Sequence, residues 1–156
     1  MNDVGGIIHV ALTVQDLDRS IDFYQKNFDM SVIARETFTA YQDGFFGDSE
    51  DAPTLYGVAP GSTCALALLQ QPGGGMILEL FQFIPQKSPQ AVPWDRAGIT
   101  HFAFETTQFD ALYRRLRENG AGFCMRPGRR AADGLYWIFL RDPDGNLIEL
   151  LGSNPA

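Results

Sequence analysis

The chain has only two histidines, His9 and His101, and they lie 92 residues apart in near-copies of one short stretch. Gly6-Ile7-Ile8-His9-Val10-Ala11-Leu12 is echoed by Gly98-Ile99-Thr100-His101-Phe102-Ala103-Phe104, and Asp18 and Asp110 share the same spacing. Two carboxylates recur in a comparable way. Glu79 and Glu149 each interrupt an apolar run, as Ile77-Leu78-Glu79-Leu80 and Leu147-Ile148-Glu149-Leu150. A carboxylate among such residues is costly unless it is paired, solvated or bound to a cation. Alone, a strand histidine is more often a hydrogen-bonded or half-exposed residue than a ligand, and a strand glutamate more often faces solvent. Recurrence shifts that balance, because two modules related by a two-fold would bring the four side chains together. Imidazole suits Zn, Ni, Fe and Cu, and carboxylates add charge. A set of two nitrogens and two oxygens with room for waters or a chelating substrate suits one octahedral divalent ion, with Ni, Zn, Co, Mn and Fe all open. His9, Glu79, His101 and Glu149 are therefore the candidate metal ligands. Glu79 and Glu149 are also the candidate catalytic groups, since a carboxylate beside a metal can take and return a proton.

The elements that must hold these residues follow from pattern. Gly6–Val14 has the β-branched content of a strand, and period-2 alternation puts Ile7, His9, Ala11 and Thr13 on one face. Ile8, Val10, Leu12 and Val14 make the other face uniformly apolar, ready to meet a helix. Asp16 is placed as an N-cap, and Leu17, Ile21, Tyr24 and Phe28 follow at helical spacing, predicting a helix over 17–28. Strands are expected at 31–35, 63–69 and 76–83. Between them, residues 41–62 have loop composition, rich in Gly, Pro and acid, and a loop of that length is often functional. Residues 85–97 carry Pro85, Pro89 and Pro93 and are expected to link the copies. The pattern then restarts at 98, with Thr107 as the expected cap of a second helix ending at Gly120, a strand near 122–126 and a basic loop holding Arg126, Arg129 and Arg130. Asp142-Pro143-Asp144-Gly145-Asn146 is a turn sequence closing a hairpin over 135–151. Each copy thus reads strand–helix–strand–strand–strand, an internal repeat.

With 156 residues, 45% hydrophobic and 20% charged, the chain has the composition of one globular domain. Its net charge of −7 argues against nucleic acid and against anionic membrane surfaces. No apolar run approaches the ~20 residues of a membrane span. The opening Met1-Asn2-Asp3-Val4 lacks the basic start and apolar core of a signal peptide. Cys64 and Cys124 are too few for a disulfide framework and sit in apolar surroundings. Both are expected to be buried thiols in a reducing cytoplasm. Gly73-Gly74-Gly75 precedes a strand and not a helix, which excludes a phosphate loop.

Taken together, Gly6–Phe28, Met76–Leu80, Gly98–Gly120 and Asp142–Leu150 resemble the vicinal oxygen chelate superfamily, which includes glyoxalase I, methylmalonyl-CoA epimerase, extradiol dioxygenases and bleomycin- or fosfomycin-resistance proteins. The resemblance covers nearly the whole chain. It implies an α+β fold in which two repeated βαβββ modules, about 5–84 and about 98–152 with a linker at about 85–97, form a cupped mixed sheet in a single domain over 1–156. It also implies one divalent metal ion held at the positions of His9, Glu79, His101 and Glu149, and a homodimer acting on a small molecule. A filled ligand set resembles the glyoxalase I and epimerase branch, a lyase or isomerase in which the metal holds two neighbouring substrate oxygens and stabilises an enediolate or enolate. The alternatives are a non-catalytic binding or resistance protein, whose relatives often lose the set, and an extradiol-type dioxygenase, which would leave Glu79 without a ligand role. Glyoxalase I carries an Arg four residues after its first ligand and an Asn four after its second, both used for glutathione. Thr13 and Phe83 stand there in this chain and argue against glutathione. The epimerase has paired histidines where this chain has Thr100-His101.

Overall fold

A computed structural model describes residues 5–42, 52–87 and 92–155. It falls into two compact units, Met1–Ser88 and Pro89–Ala156. Among the described residues no helix is long and apolar enough to cross a membrane.

The first unit contains β1 (His9–Thr13), α1 (Leu17–Phe28), β2 (Ser31–Thr39), a short α2 (Ala52–Tyr56), β3 (Thr63–Gln70) and β4 (Ile77–Ile84). Its sheet has the order β1-β4-β3-β2. β1 runs parallel to β4 and the other pairs are antiparallel. A parallel pair needs a crossover, and α1 begins it. Asp16 starts the helix as expected, its carboxylate accepting from the Arg19 N–H at 3.0 Å. Leu17, Ile21, Tyr24 and Phe28 form its buried stripe. Asp29 ends it in the left-handed region, φ 54°, which a short polar side chain tolerates. Gln82 ties the helix to the sheet, accepting from the Leu17 N–H at 3.1 Å and donating to the Gln15 carbonyl at 3.0 Å.

The second unit repeats this plan with β5 (Phe102–Thr106), α3 (Phe109–Glu118), β6 (Gly122–Phe123), β7 (Gly128–Arg129), β8 (Tyr136–Arg141) and β9 (Leu147–Gly152). The order β5-β9-β8-β6 is the order of the first sheet, with β7 added beside β8. Ile138, Leu140, Ile148 and Leu150 are fully buried on one face, as are Phe109 and Leu116 of α3. The β8–β9 turn is built on Asp142. Its buried carboxylate accepts from the Asp144 and Asn146 backbone N–H groups at 3.0 and 2.8 Å and from the Asn146 side chain at 2.9 Å. Gly145 supplies the positive φ of 87°. Asp142→Ala strands three donors and is expected to cost about 2 kcal/mol, read from denaturant unfolding. An unchanged midpoint would contradict this account of the turn.

Several expectations need correction. β2 extends to Thr39, four residues past its expected end. β5 starts at Phe102, so His101 lies just before the strand and not within it. Thr107 does not cap α3. The N-cap is Gln108, whose side chain makes no capping bond, and the end of the chain does the work instead. Asn154 accepts from the Asp110 N–H at 2.8 Å and the Ser153 carbonyl from the Phe109 N–H at 3.0 Å. The strand expected near 122–126 is only Gly122–Phe123, and part of the basic loop pairs with β8. Of the segment 41–62, residues 43–51 lie outside the described residues.

Cys64 is fully buried, as expected, whereas Cys124 is exposed. Burial pushes the Cys64 thiol up to about 11, leaving roughly a hundredfold less thiolate near pH 8 than an ordinary cysteine has. An aromatic disulfide reagent should consume one thiol rapidly, at Cys124, and the second only after unfolding. Two fast equivalents would show that the Cys64 face opens readily.

Candidate metal centre

Register decides which side chains share a face. In the first unit Ala11 pairs with Glu79. His9 lies two residues before Ala11, so His9 and Glu79 occupy the same face of the sheet. In the second unit Ala103 pairs with Glu149, and His101 lies two residues before Ala103. The same diagonal arises twice. His9 Nδ1 stands 3.9 Å from Glu79 Oε1, and His101 Nε2 stands 3.5 Å from Glu149 Oε2. The four side chains are neither sealed nor free, with exposures of 47% and 21% in the first pair and 26% and 23% in the second.

These separations exceed a good hydrogen bond, which for N–H···O is about 2.7–3.2 Å. They fit two donors on one cation. Ligands bound at about 2.0–2.2 Å stand no more than about 4.4 Å apart. Neutral imidazole nitrogen with carboxylate oxygen is also the donor chemistry of a borderline divalent ion. Each unit thus presents one imidazole nitrogen beside one carboxylate oxygen. Among the described residues, no group of three or more His, Cys, Asp and Glu side chains stands ready to hold a metal ion.

The rest of each face is largely apolar. In the first unit Phe81 and Phe83 stack at 6.0 Å, and both pack on a buried cluster of Phe38, Cys64 and Leu66. Phe83 is therefore engaged in apolar packing. In the second unit Phe139 lies opposite Glu149 in register. Trp137 stands two residues away on the same face, its indole so close over Gly128 that a Cβ there would meet it at 2.7 Å.

Three neighbours of His101 escaped the sequence reading. The Trp94 indole stacks on the imidazole at 5.0 Å and 21°, and Phe139 meets it edge-on at 5.3 Å and 85°. Thr100 Oγ1 lies 2.9 Å from His101 Nδ1. Trp94 lay hidden in the Pro-rich segment, where nothing signalled contact with His101. Thr100 was visible only as a departure from paired histidines.

The basic loop closes on itself. Arg130 and Asp133 form a bidentate pair, with Arg130 Nε 3.0 and 2.9 Å from the two carboxylate oxygens. The Asp133 hydrogen bond holds the guanidinium above its usual value, partial burial works against it, and the charges of Asp133 and Glu149 add to it. Asp133 is held below the usual carboxylate range by the Arg130 hydrogen bond and by the Leu135 N–H.

Comparison with known proteins converges on one family. Residues 6–150 match the model of the Glyoxalase/Bleomycin resistance protein/Dioxygenase superfamily. Lactoylglutathione lyase GLX1 of Arabidopsis thaliana is 25% identical over 151 residues, covering 96% of this chain and 44% of its own length. The chain spans less than half the length of the plant relatives it matches. Metallothiol transferase FosB of Shouchella clausii is 30% identical over 149 residues, covering 94% of this chain and 80% of its own. Among solved structures, a glyoxalase family protein of Bacillus cereus superposes with a TM-score of 0.76 at 19% identity, covering 99% of both chains.

Proposed function

The chain belongs to the glyoxalase/bleomycin resistance protein/dioxygenase superfamily, and on that premise we propose that it is a metal-dependent lyase or isomerase of glyoxalase I type, moving a proton on a small substrate with two neighbouring oxygens. The candidate ligands for a divalent ion are His9 and Glu79 in the first unit and His101 and Glu149 in the second. The observation that carries this reading is the repeated pairing of an imidazole nitrogen with a carboxylate oxygen, 3.9 Å apart in the first unit and 3.5 Å apart in the second.

A divalent ion held there supplies Lewis acidity, polarising a carbonyl and acidifying the adjacent C–H. The chain's own groups do the rest. One glutamate holds the abstracted proton on a carboxylate oxygen and returns it to a neighbouring substrate atom. Phe81 and Phe83 in one unit, and Trp137 and Phe139 in the other, offer an apolar body contact and exclude water, as binding pockets commonly do. Phe83 cannot replace the polar side chain that glutathione needs, and Thr13 offers no cation. The proposed substrate is accordingly a small molecule with two neighbouring oxygens other than the glutathione hemithioacetal.

The similarity to FosB, which extends along most of both chains, supports a second reading: transfer of a thiol to a small electrophile at the same four residues. One screen separates them. Metal-reconstituted protein is incubated in D2O with 2-oxo and 2-hydroxy carbonyl compounds, and separately with thiols and epoxides. Deuterium entering a C–H position supports the isomerase reading. Thiol consumption without exchange supports the transferase, and neither with metal bound would leave a binding protein.

A further inference from the structure

Arg129 and Arg130 are neighbours in the basic loop, yet register sends them to opposite faces of the second sheet. Gly128 pairs with Trp137 and Arg129 with Tyr136. The Arg130 N–H then donates to the Leu135 carbonyl at 2.7 Å, which carries the pairing one residue further. Alternation puts Arg129 on the face of Tyr136. There its guanidinium stands 5.7 Å from the Tyr136 ring, and its Nε donates to the Gly134 carbonyl at 3.2 Å. Arg130 falls on the other face, which it shares with Trp137, Phe139 and, on the next strand, Glu149. Two strand spacings of about 4.8 Å and four residues at about 3.4 Å each put the Arg130 and Glu149 Cα atoms roughly 16 Å apart. The two side chains narrow that interval to the length of a small molecule lying across Trp137 and Phe139. Asp133 engages Nε and Nη2 of Arg130, while Nη1 carries no hydrogen bond among the described residues.

We propose that Arg130 determines substrate specificity, its Nη1 edge binding a carboxylate at the end of the substrate remote from the atoms that react at Glu149. This names a substrate class for the function inferred above and rests on it. The chain's net charge of −7 repels anions at large, so a carboxylate-bearing substrate needs a local cation to meet it. Arg129 is already committed to Tyr136 and the Gly134 carbonyl on the other face. Arg130 is braced by Asp133 and still has donors to offer. A planar guanidinium held this way is oriented before the anion arrives, and its hydrogen bonds to a carboxylate are charge-assisted. As an exposed ion pair alone, Arg130 and Asp133 would contribute little to stability. A Cβ at position 128 would meet the Trp137 indole at 2.7 Å, so Gly128 is what lets the loop lie against the ring between Arg130 and Glu149.

The test uses two probes with the same 2-oxo acid head and the same chain length. 2-Oxoglutarate ends in a second carboxylate, and 2-oxopentanoate does not. Each is titrated into the zinc-loaded protein while NMR follows the indole N–H signals of its two tryptophans. The wild type should bind 2-oxoglutarate roughly 10–100-fold more tightly, the scale of a hydrogen bond to a charged group, with a shift in the Trp137 signal. Arg130→Gln should abolish that preference and leave the affinity for 2-oxopentanoate unchanged. Arg114→Gln, the same loss of charge at an exposed position of α3, should keep the preference. A residue that only braced the loop would, once replaced, weaken both probes alike, as Asp133→Asn would. The proposal falls if the wild type binds the two probes equally or binds neither, if the preference survives in Arg130→Gln, or if that variant loses both probes to the same extent. Should Arg130→Gln fail to fold, Arg130→Lys, which keeps the charge and loses the planar fork, replaces it and should lower the preference. A wild type that takes up no divalent ion would bring down the metal reading instead, and the same titrations on metal-free protein would then decide Arg130 by the same comparison.

Discussion

Glu149→Gln is expected to keep much of the bound metal and to lose roughly 10²–10⁴-fold in the rate of proton transfer, the usual effect of removing a general base. The carboxamide oxygen remains a donor to the ion but cannot hold a proton. Glu149 is the better candidate base because its strand is anchored at one end by the Asp142 turn. The same change at Glu79 should mainly weaken metal binding. The measurement sets metal stoichiometry beside deuterium exchange for both variants, on whichever carbonyl compound the screen reveals. If Glu149→Gln loses metal and shows no separate exchange defect, Glu149 is a plain ligand and the base is Glu79.

Gly152→Ala is expected to be the most disruptive single methyl addition in the second unit. Gly152 pairs with Thr106 at the end of the parallel β5–β9 ladder. A Cβ there would lie 1.9 Å from the Thr106 carbonyl oxygen. Backbone is what it meets, so no side-chain rotation relieves the clash. The two strands must part, loosening the Ser153 N–H bond to the Thr106 carbonyl and, beyond it, the Ser153 and Asn154 groups that cap α3. Overpacking of this severity should cost about 3 kcal/mol or more, a large share of an ordinary domain's stability. Gly145→Ala, at a positive-φ turn position with open space around it, serves as the milder comparison. Equal unfolding midpoints for the two variants would contradict the close approach at Gly152.

The repeat was legible in the sequence because chemistry-bearing residues are scarce in it. Two histidines at one spacing, and two glutamates each set in an apolar strand, reveal equivalent strands without any knowledge of the fold. Period 2 then placed His9, Ala11 and Thr13 together, and the observed register of Ala11 with Glu79 puts His9 and Glu79 on one face, while His101 stands just before its strand. What stayed hidden depends on contacts distant in sequence. The α3 cap comes from Asn154, 44 residues from Asp110, so Thr107 was the natural local choice. Trp94 lies in a segment with linker composition, yet its ring covers His101. Cys124 follows apolar residues but the strand there lasts only two residues, too short to bury it.

Metal binding by both histidine–glutamate pairs of the repeat is the proposal on which the function rests. Its most direct test is zinc titration of the metal-stripped protein, by calorimetry with elemental analysis, for the wild type, His9→Ala and His101→Ala. The account predicts one ion per chain in the wild type. Each variant alone should weaken that ion by at least the roughly 10–100-fold that loss of an outer-shell partner costs. Two ions per chain, with each histidine affecting only one of them, or an ion indifferent to either histidine, would contradict it.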